Sequence, residues 1–388
     1  MWKPAFFLAL SLATIAQAQS HQAQQTPQEL VQDAIEKQRT GDLQGAVTEY
    51  REFLKIHPEA TAIHSNLGAA LAGLGRFEEA IPEYKVALTQ SPGLESARLN
   101  LGLVYYKMGH ISEAATEFEK VRNKDPNNSQ AILLLADCYL RMGREKDVIR
   151  VLGPEEKKRP DDLAIAYMLG TAYIRDKQPE EGALLIDRIL RNGDSAEAHL
   201  LLGMTKFQAL EYPAAIADLT KAAEMNPDLP DVYSYLGQAQ MASGDMTAAR
   251  AAFEKELARN PNDFQSNLRL AVLLKDDGDY DRAHQLLKRA LLVRPDDPAA
   301  LYQVGSTDLA AGDLNAACAI FEQVVKQSPQ FLEAHVSLAQ VYYRLKRKAD
   351  GDRERELVRK LKAEQDANQQ KGEVINPAKG ANAPQSVN

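Results

Sequence analysis

The chain has 388 residues, and 46 lysines and arginines against 54 aspartates and glutamates give a formal net charge of −8. This balance gives no reason to expect nucleic acid or an anionic membrane surface as a partner. Length alone predicts two or three globular domains, but an internal repeat overrides that expectation.

The first eighteen residues have the pattern of an export signal. Lys3 precedes an apolar run from Pro4 to Ile15, and Ala16-Gln17-Ala18 supplies small residues for cleavage. We expect residues 1–18 to be removed after Ala18, which predicts a secreted protein or one of the bacterial periplasm. The alternative is a membrane anchor, but the run of about 12 apolar residues is shorter than the roughly 20 that span a bilayer. The mature chain is therefore expected to have no integral membrane segment.

Residues 19–26 form a polar, glutamine-rich lead that we expect to be disordered, and a repeat of 34 residues begins at Pro27. The interval from Pro160 to Pro227 is 67, so one proline and one residue are missing near Asn192, where other residues must make the turn. The repeat is marked by prolines at its end: Pro58, Pro92, Pro126, Pro160, Pro227, Pro261, Pro295 and Pro329.

Three further columns predict two packed helices in each repeat. A glycine in a helix costs about 1 kcal/mol relative to alanine, so a repeated helical glycine indicates that another helix lies close to it. The aromatic column follows the alanine column by four residues and therefore lies on the same helical face. The glycines are Gly68, Gly102, Gly170, Gly203, Gly237 and Gly305; the alanines are Ala46, Ala80, Ala114, Ala215, Ala249, Ala283 and Ala317; the aromatic residues are Tyr50, Tyr84, Phe118, Phe253 and Phe321.

Each predicted pair contains a turn with its own signature. Glycine tolerates the left-handed conformation that ends a helix, and an aspartate after it can cap the next helix. Lys177 and Leu210 stand where two of the repeats lack the glycine. The turn glycines are Gly41, Gly75, Gly109, Gly143, Gly244, Gly278 and Gly312, and the caps are Asp42, Asp245, Asp279 and Asp313.

These columns together resemble the tetratricopeptide repeat, which has a leucine-glycine pair, an alanine, an aromatic residue and a proline in 34 residues. The resemblance covers nine repeats over 27–330 and implies an all-α fold, a right-handed superhelical solenoid of antiparallel helix pairs. The family's tryptophan position is not kept, and its tyrosine survives only at Tyr105, Tyr139, Tyr173 and Tyr342.

Residues 331–370 are expected to form capping helices, and residues 371–388 a disordered tail. An alternative to a capping helix is a phosphate-binding patch, formed by the basic run Arg344, Lys346, Arg347 and Lys348. Interleaved acidic residues favour a solvated cap.

The sequence has no motif for catalysis, a metal or a cofactor, so we predict a protein that is not an enzyme. Cys138 and Cys318 occupy small-residue columns and are expected to be buried free thiols. His64, His199 and His335 share one column, so they are expected to lie far apart as packing or surface residues.

The resemblance also implies a concave groove, lined by the first helix of each pair, that binds a protein or peptide. Its middle is apolar, and two interpretations are open: an exposed contact strip, or residues buried by superhelical packing. We call the predicted binding residues the groove face: Asn66, Asn100, Tyr106, Leu133, Leu134, Asp137, Tyr167, Met168, Thr171, Leu200, Leu201, Met204, Phe207, Gln238 and Lys275.

Two functions follow as hypotheses. The first is an exported, non-enzymatic scaffold that binds a segment of another protein in the groove. The second is an accessory subunit that presents substrate to a separate cell-envelope enzyme, such as a glycan or polysaccharide transferase. The sequence leaves the identity of the partner and the oligomeric state open.

Overall fold

The computed structural model describes residues 26–375, which form twenty α-helices and no strand. The export signal predicted at residues 1–18 and residues 376–388 of the predicted tail lie outside this range. The helices are α1 (Pro27–Thr40), α2 (Leu43–Ile56), α3 (Thr61–Gly73), α4 (Phe77–Gln90), α5 (Glu95–Met108), α6 (Ile111–Lys124), α7 (Ser129–Met142), α8 (Glu145–Lys158), α9 (Leu163–Arg175), α10 (Pro179–Arg191), α11 (Ala196–Gln208), α12 (Tyr212–Met225), α13 (Val232–Ala242), α14 (Met246–Arg259), α15 (Phe264–Asp276), α16 (Tyr280–Val293), α17 (Pro298–Ala311), α18 (Leu314–Gln327), α19 (Leu332–Arg344) and α20 (Lys348–Ile375).

The helices form two compact units. Unit 1 ends at Met108 and contains α1 to α5, and unit 2 begins at Gly109 and contains α6 to α20. Within each unit every helix packs against the next one in the chain, as expected of an array of helix pairs. The prediction of an all-α fold built from tandem helix pairs is confirmed. α20 continues to Ile375, past the end of the predicted cap at Gln370.

The turns within the helix pairs lie where the sequence predicts. All seven turn glycines have positive φ, and the caps Asp42, Asp245, Asp279 and Asp313 accept hydrogen bonds from the first turn of α2, α14, α16 and α18. Lys177 (φ 60°) and Leu210 (φ 63°) keep the left-handed conformation without being glycine. The pairing geometry therefore imposes this turn even where the side chain disfavours it.

The glycine and aromatic columns meet inside the pairs. A Cβ atom on Gly68 would lie 3.0 Å from the ring of Tyr84, and one on Gly237 or Gly305 would lie 2.6 or 2.8 Å from Phe253 or Phe321. These aromatic residues are fully buried. The helical glycine is therefore needed to admit the ring of the second helix of its own pair.

The two cysteines are free and buried, as predicted. Among the described residues, no helix has both the length and the apolar character needed to cross a bilayer.

Candidate functional site

All fifteen groove-face residues lie on first helices of their pairs: α3 and α5 in unit 1, and α7, α9, α11, α13 and α15 in unit 2. Burial separates them into two groups. Thr171, Leu200, Leu201 and Met204 are buried, and the other eleven are partly accessible. The apolar middle is thus neither wholly exposed nor wholly buried. Helix α11 contributes mainly to the core, whereas Leu133, Leu134, Tyr167, Met168 and Phe207 keep accessible surface.

In unit 1 the two groove asparagines lie beside buried tyrosines. The hydroxyl of Tyr50 donates a hydrogen bond to Oε1 of Gln38 at 2.8 Å. Burial raises the pKa of Tyr50 and of Tyr84 above the ordinary range, and the nearby amides of Asn66 and Asn100 partly offset this rise. The two asparagines therefore form part of the polar surroundings of buried phenols. An amide has up to four hydrogen-bonding positions, so both asparagines retain capacity for a ligand.

The polar groove residues of unit 2 also have partners in the protein. Asp137 accepts a hydrogen bond from Nε of Arg141 at 2.8 Å. Nζ of Lys275 lies 3.3 Å from the Ser306 hydroxyl and 3.7 Å from the Asp276 carboxylate. The accessible surface without such polar interactions is therefore mainly the apolar set on α7 and α9.

A polar cluster that the sequence analysis missed lies in unit 2. Arg175, at the end of α9, donates to the hydroxyl of Tyr235 at 2.7 Å, to the carbonyl of Leu140 at 3.1 Å and to the carboxylate of Asp231 at 2.8 Å. This one guanidinium links α7, α9 and the start of α13. No column of a 34-residue repeat could have indicated it, because its two side-chain partners lie 60 and 56 residues away.

Two buried carboxyl groups complete this cluster. Glu256 on α14 is only 2% exposed and accepts a hydrogen bond from the backbone N–H of Asp231 at 3.3 Å. Burial, together with the charges of Asp263 and Asp231, raises the pKa of Glu256 to about 8. Asp263 caps α15 through the N–H of Ser266 at 2.7 Å, and burial raises its pKa as well. Glu256 is therefore largely a neutral acid at pH 7.

The histidine column has a structural role. Each of its three histidines uses both ring nitrogens to bind the preceding loop and the second helix of its own pair. In His335, for example, one nitrogen lies 3.0 Å from the carbonyl of Pro329 and the other 2.6 Å from Glu354. Each ring therefore links the loop before its pair to the second helix of that pair, which agrees with the prediction that these histidines are packing residues.

Two features of the described residues bear on reactive chemistry. Within 26–375 no cluster of three or more histidine, cysteine or acidic side chains could hold a metal ion. A small surface pocket beside α18 is lined in part by Cys318, Glu322 and Arg347. Burial and the neighbouring Glu322 raise the pKa of the Cys318 thiol to about 11. Cys318 is thus a protonated thiol, which is a poor nucleophile.

Comparison with known proteins supports the fold. A solved structure of the APC/C hetero-tetramer Cut9–Hcn1 aligns with 87% of this chain and 81% of its own at a TM-score of 0.53 and 13% identity, which shows the shared fold alone. Among curated proteins, Superkiller protein 3 of Schizosaccharomyces pombe is 31% identical over 96 residues, and the Hsp70-Hsp90 organizing protein of Triticum aestivum is 45% identical over 51 residues. The alignments cover only 7% and 9% of these two relatives.

Family models give the assignment. One tetratricopeptide repeat model matches residues 71–131, 111–154, 240–303 and 308–363. A second model of the same description matches residues 33–95 and 200–264. Together they cover well over half of the chain, and their matches fall on the helix pairs described above. The chain therefore belongs to the tetratricopeptide repeat family.

Proposed function

We propose that this protein is a non-enzymatic scaffold that binds a segment of a partner protein at the groove face of unit 2. The observation that carries the proposal is the row of partly accessible apolar side chains on α7 and α9, namely Leu133, Leu134, Tyr167 and Met168. Contiguous accessible apolar surface is typical of protein contact sites. Methionine and aromatic side chains adapt well to a bound peptide.

The family supports a protein as partner, since tetratricopeptide repeats generally mediate contacts between proteins. A preformed array also lowers the entropy that a partner segment must lose on binding. The name of the wheat relative describes a protein that organises two others, which is consistent with a scaffold.

The test replaces two accessible apolar groove residues by aspartate, Leu134→Asp and Met168→Asp, and measures partners captured after crosslinking in cells by quantitative mass spectrometry. We expect captured partner to fall by about tenfold or more, since about 1.4 kcal/mol of lost binding energy already gives that factor. Leu184→Asp is the matched control, because Leu184 is 72% exposed on α10, outside the groove face. Capture unchanged in a folded double variant, as judged by circular dichroism, would refute binding at the groove face.

We further propose that the protein is exported, with cleavage after Ala18. Trp2 is the only tryptophan of the chain, so the mature protein should show tyrosine fluorescence without an indole component. Indole emission from purified exported protein would contradict the cleavage. If the protein is exported, the captured partners also separate the two hypotheses, because an accessory subunit would bring down an envelope glycan or polysaccharide transferase.

A further inference from the structure

Within unit 2, elements far apart in sequence meet at the end of α7. Arg294, which follows α16, donates from Nε to the carbonyl of Arg141 at 2.8 Å, across 153 residues. Its guanidinium also lies over the ring of Phe264, 4.0 Å from the centroid. Arg175 binds the preceding carbonyl, that of Leu140. The last carbonyls of a helix have no partner within the helix. The carbonyl of Leu140 accepts from the N–H of Gly143 as well as from Arg175, whereas that of Arg141 accepts from Arg294.

Glycines on the facing loops allow this approach. A Cβ atom on Gly143 would lie 2.9 Å from Nη1 of Arg294. One on Gly109 would lie 2.5 Å from the side-chain nitrogen of Asn262. Contacts between such distant repeats require the array of unit 2 to curve back on itself. Apart from these loops, α6 and α16 touch at only a few residues.

The charge of Arg294 makes this contact expensive to form. Among the described residues, no carboxylate lies within ion-pair distance of its partly buried guanidinium. A carbonyl dipole, an aromatic face and the more distant carboxylates of Asp297, Glu145 and Asp263 compensate its charge. Burial, and then the positive charge of Arg175, lower the pKa of Arg294 below its ordinary value. Partial removal of a cation from water without a directly paired carboxylate is unfavourable. Opening the contact would return the Arg294 guanidinium to water. The free-energy difference between the closed and open forms is therefore a small balance between the lost contacts and the regained hydration.

The contact also joins the two ends of the groove face in unit 2. Helix α7 carries Leu133, Leu134 and Asp137, and α15, which carries Lys275, begins with the Phe264 ring beneath Arg294. Arg294 therefore holds the end of α7 next to the start of α15.

We propose that Arg294 is a latch that holds this turn of unit 2 closed, and that its release widens access to the apolar groove residues on α7 and α9. The gating part rests on the binding function proposed above. The latch itself is a property of the fold and can be tested without any partner.

The first experiment compares Arg294→Gln with Arg289→Gln, a control on exposed surface of the same region. Hydrogen–deuterium exchange is followed in peptides covering residues 138–146 and 260–266. In Arg294→Gln we expect exchange there to rise by about fivefold or more, with little change elsewhere, because a local opening exposes only the amides that it uncovers. Equal exchange in wild type and both variants would overturn the latch. Arg294→Lys keeps the charge but loses the planar guanidinium. Its exchange in these peptides should lie between that of wild type and that of Arg294→Gln.

The second experiment fixes the latch in its closed form. A Gly109→Cys, Asn262→Cys pair should form a disulfide under mild oxidation. The second substitution removes the amide nitrogen that a Cβ atom on residue 109 would meet at 2.5 Å, and Cγ of Asn262, where the cysteine sulfur would lie, is 2.7 Å from that Cβ position. Residue 109 has φ 83°, so the fold of the double variant is first compared with wild type by circular dichroism. Adding Arg294→Gln should slow this crosslinking, and Asn262→Cys alone serves as its control. Crosslinking at an unchanged rate in Arg294→Gln would show that Arg294 does not hold the turn.

Access is measured with the dye bis-ANS, which fluoresces on apolar surface. We expect more dye binding in Arg294→Gln than in wild type, and less in the crosslinked protein, with recovery after reduction. Dye binding that does not depend on the crosslink would overturn the gating. The scaffold function has a different readout, because its failure would appear as unchanged partner capture in the Leu134→Asp, Met168→Asp variant. Failure of the gating and failure of the scaffold function are therefore distinguishable.

Discussion

Arg175 and Asp231 form an ion pair across 56 residues, with Nη2 of the arginine 2.8 Å from Oδ2 of the aspartate. Asp231 has φ 66°, a conformation that is unfavourable for a residue with a side chain. Its side chain makes no cap for α13, and its N–H is instead satisfied by Glu256. The long-range pair thus stabilises a helix start that local sequence would not favour.

Replacing Arg175 by methionine should lower the free energy of unfolding by about 3 kcal/mol, because it leaves the Asp231 carboxylate without its cation and the Tyr235 hydroxyl without its donor. Urea unfolding followed by circular dichroism measures the change. Arg259→Met is the control: Arg259 pairs with Asp228, which is 84% exposed, so its effect should stay within about 0.5 kcal/mol. Equal losses in the two variants would show that the Arg175 cluster has no special role.

Stability should depend on pH through Glu256. Its pKa is raised from 4.5 to about 8 in the folded protein. Between these values the folded state holds a proton that the unfolded state has released, so the free energy of unfolding should fall as pH rises from about 5 to 8. The contribution of this group should be of the order of 2 to 4 kcal/mol at most. Asp263, whose pKa is also raised, contributes with the same sign.

The Glu256→Gln variant isolates this effect. Glutamine is neutral at all pH values and keeps an oxygen that can accept from the N–H of Asp231. We expect its urea midpoint to change less than that of wild type between pH 5.5 and pH 8.5, values that bracket most of the shift. Parallel curves for the two proteins would contradict a raised Glu256 pKa.

Two helical glycines should respond differently to alanine. In α14 the ring of Phe253 lies 2.6 Å from the Cβ position of Gly237, so Gly237→Ala should destabilise by about 1 to 3 kcal/mol through overpacking. Gly153 in α8 has no non-neighbouring atom within 4 Å of its Cβ position, but Pro154 follows it and disfavours the helical conformation for a residue with a Cβ atom. The gain in helix propensity and this clash oppose each other, so Gly153→Ala should change stability by less than about 1 kcal/mol. Thermal unfolding of both variants checks the difference, and an equal loss in the two would contradict overpacking at Gly237.

Replacing Leu210 by glycine should increase the stability of the folded protein. It has φ 63° and is 69% exposed, so Leu210→Gly would remove left-handed strain of about 1 kcal/mol and lose little packing. Part of this gain is offset by the greater freedom of glycine in the unfolded chain. Leu210→Ala is the control, since it shortens the side chain but keeps the Cβ atom that causes the strain. A Tm no higher in the glycine variant than in the alanine variant would argue against strain.

Local pattern predicted most of the fold, since the proline interval, the turn glycines and the aspartate caps each depend on residues a few positions apart. Lys177 and Leu210 show its limit. The sequence marks them as departures, and only the packed pairs reveal that the left-handed turn persists there. The groove-face residues lie on first helices, where the pattern puts them, whereas the accessibility of each side chain depends on how successive pairs pack.

The sequence by itself determined that this chain forms stacked helix pairs, because a 34-residue period repeats the same short-range contacts in every copy. The tertiary structure alone decided that Leu200, Leu201 and Met204 are buried, that Asn66 lies beside Tyr50, and that Arg175 and Arg294 meet the end of α7. Those interactions connect different repeats. Small rotations between successive pairs accumulate into the curvature that brings them together, and no single repeat encodes that sum.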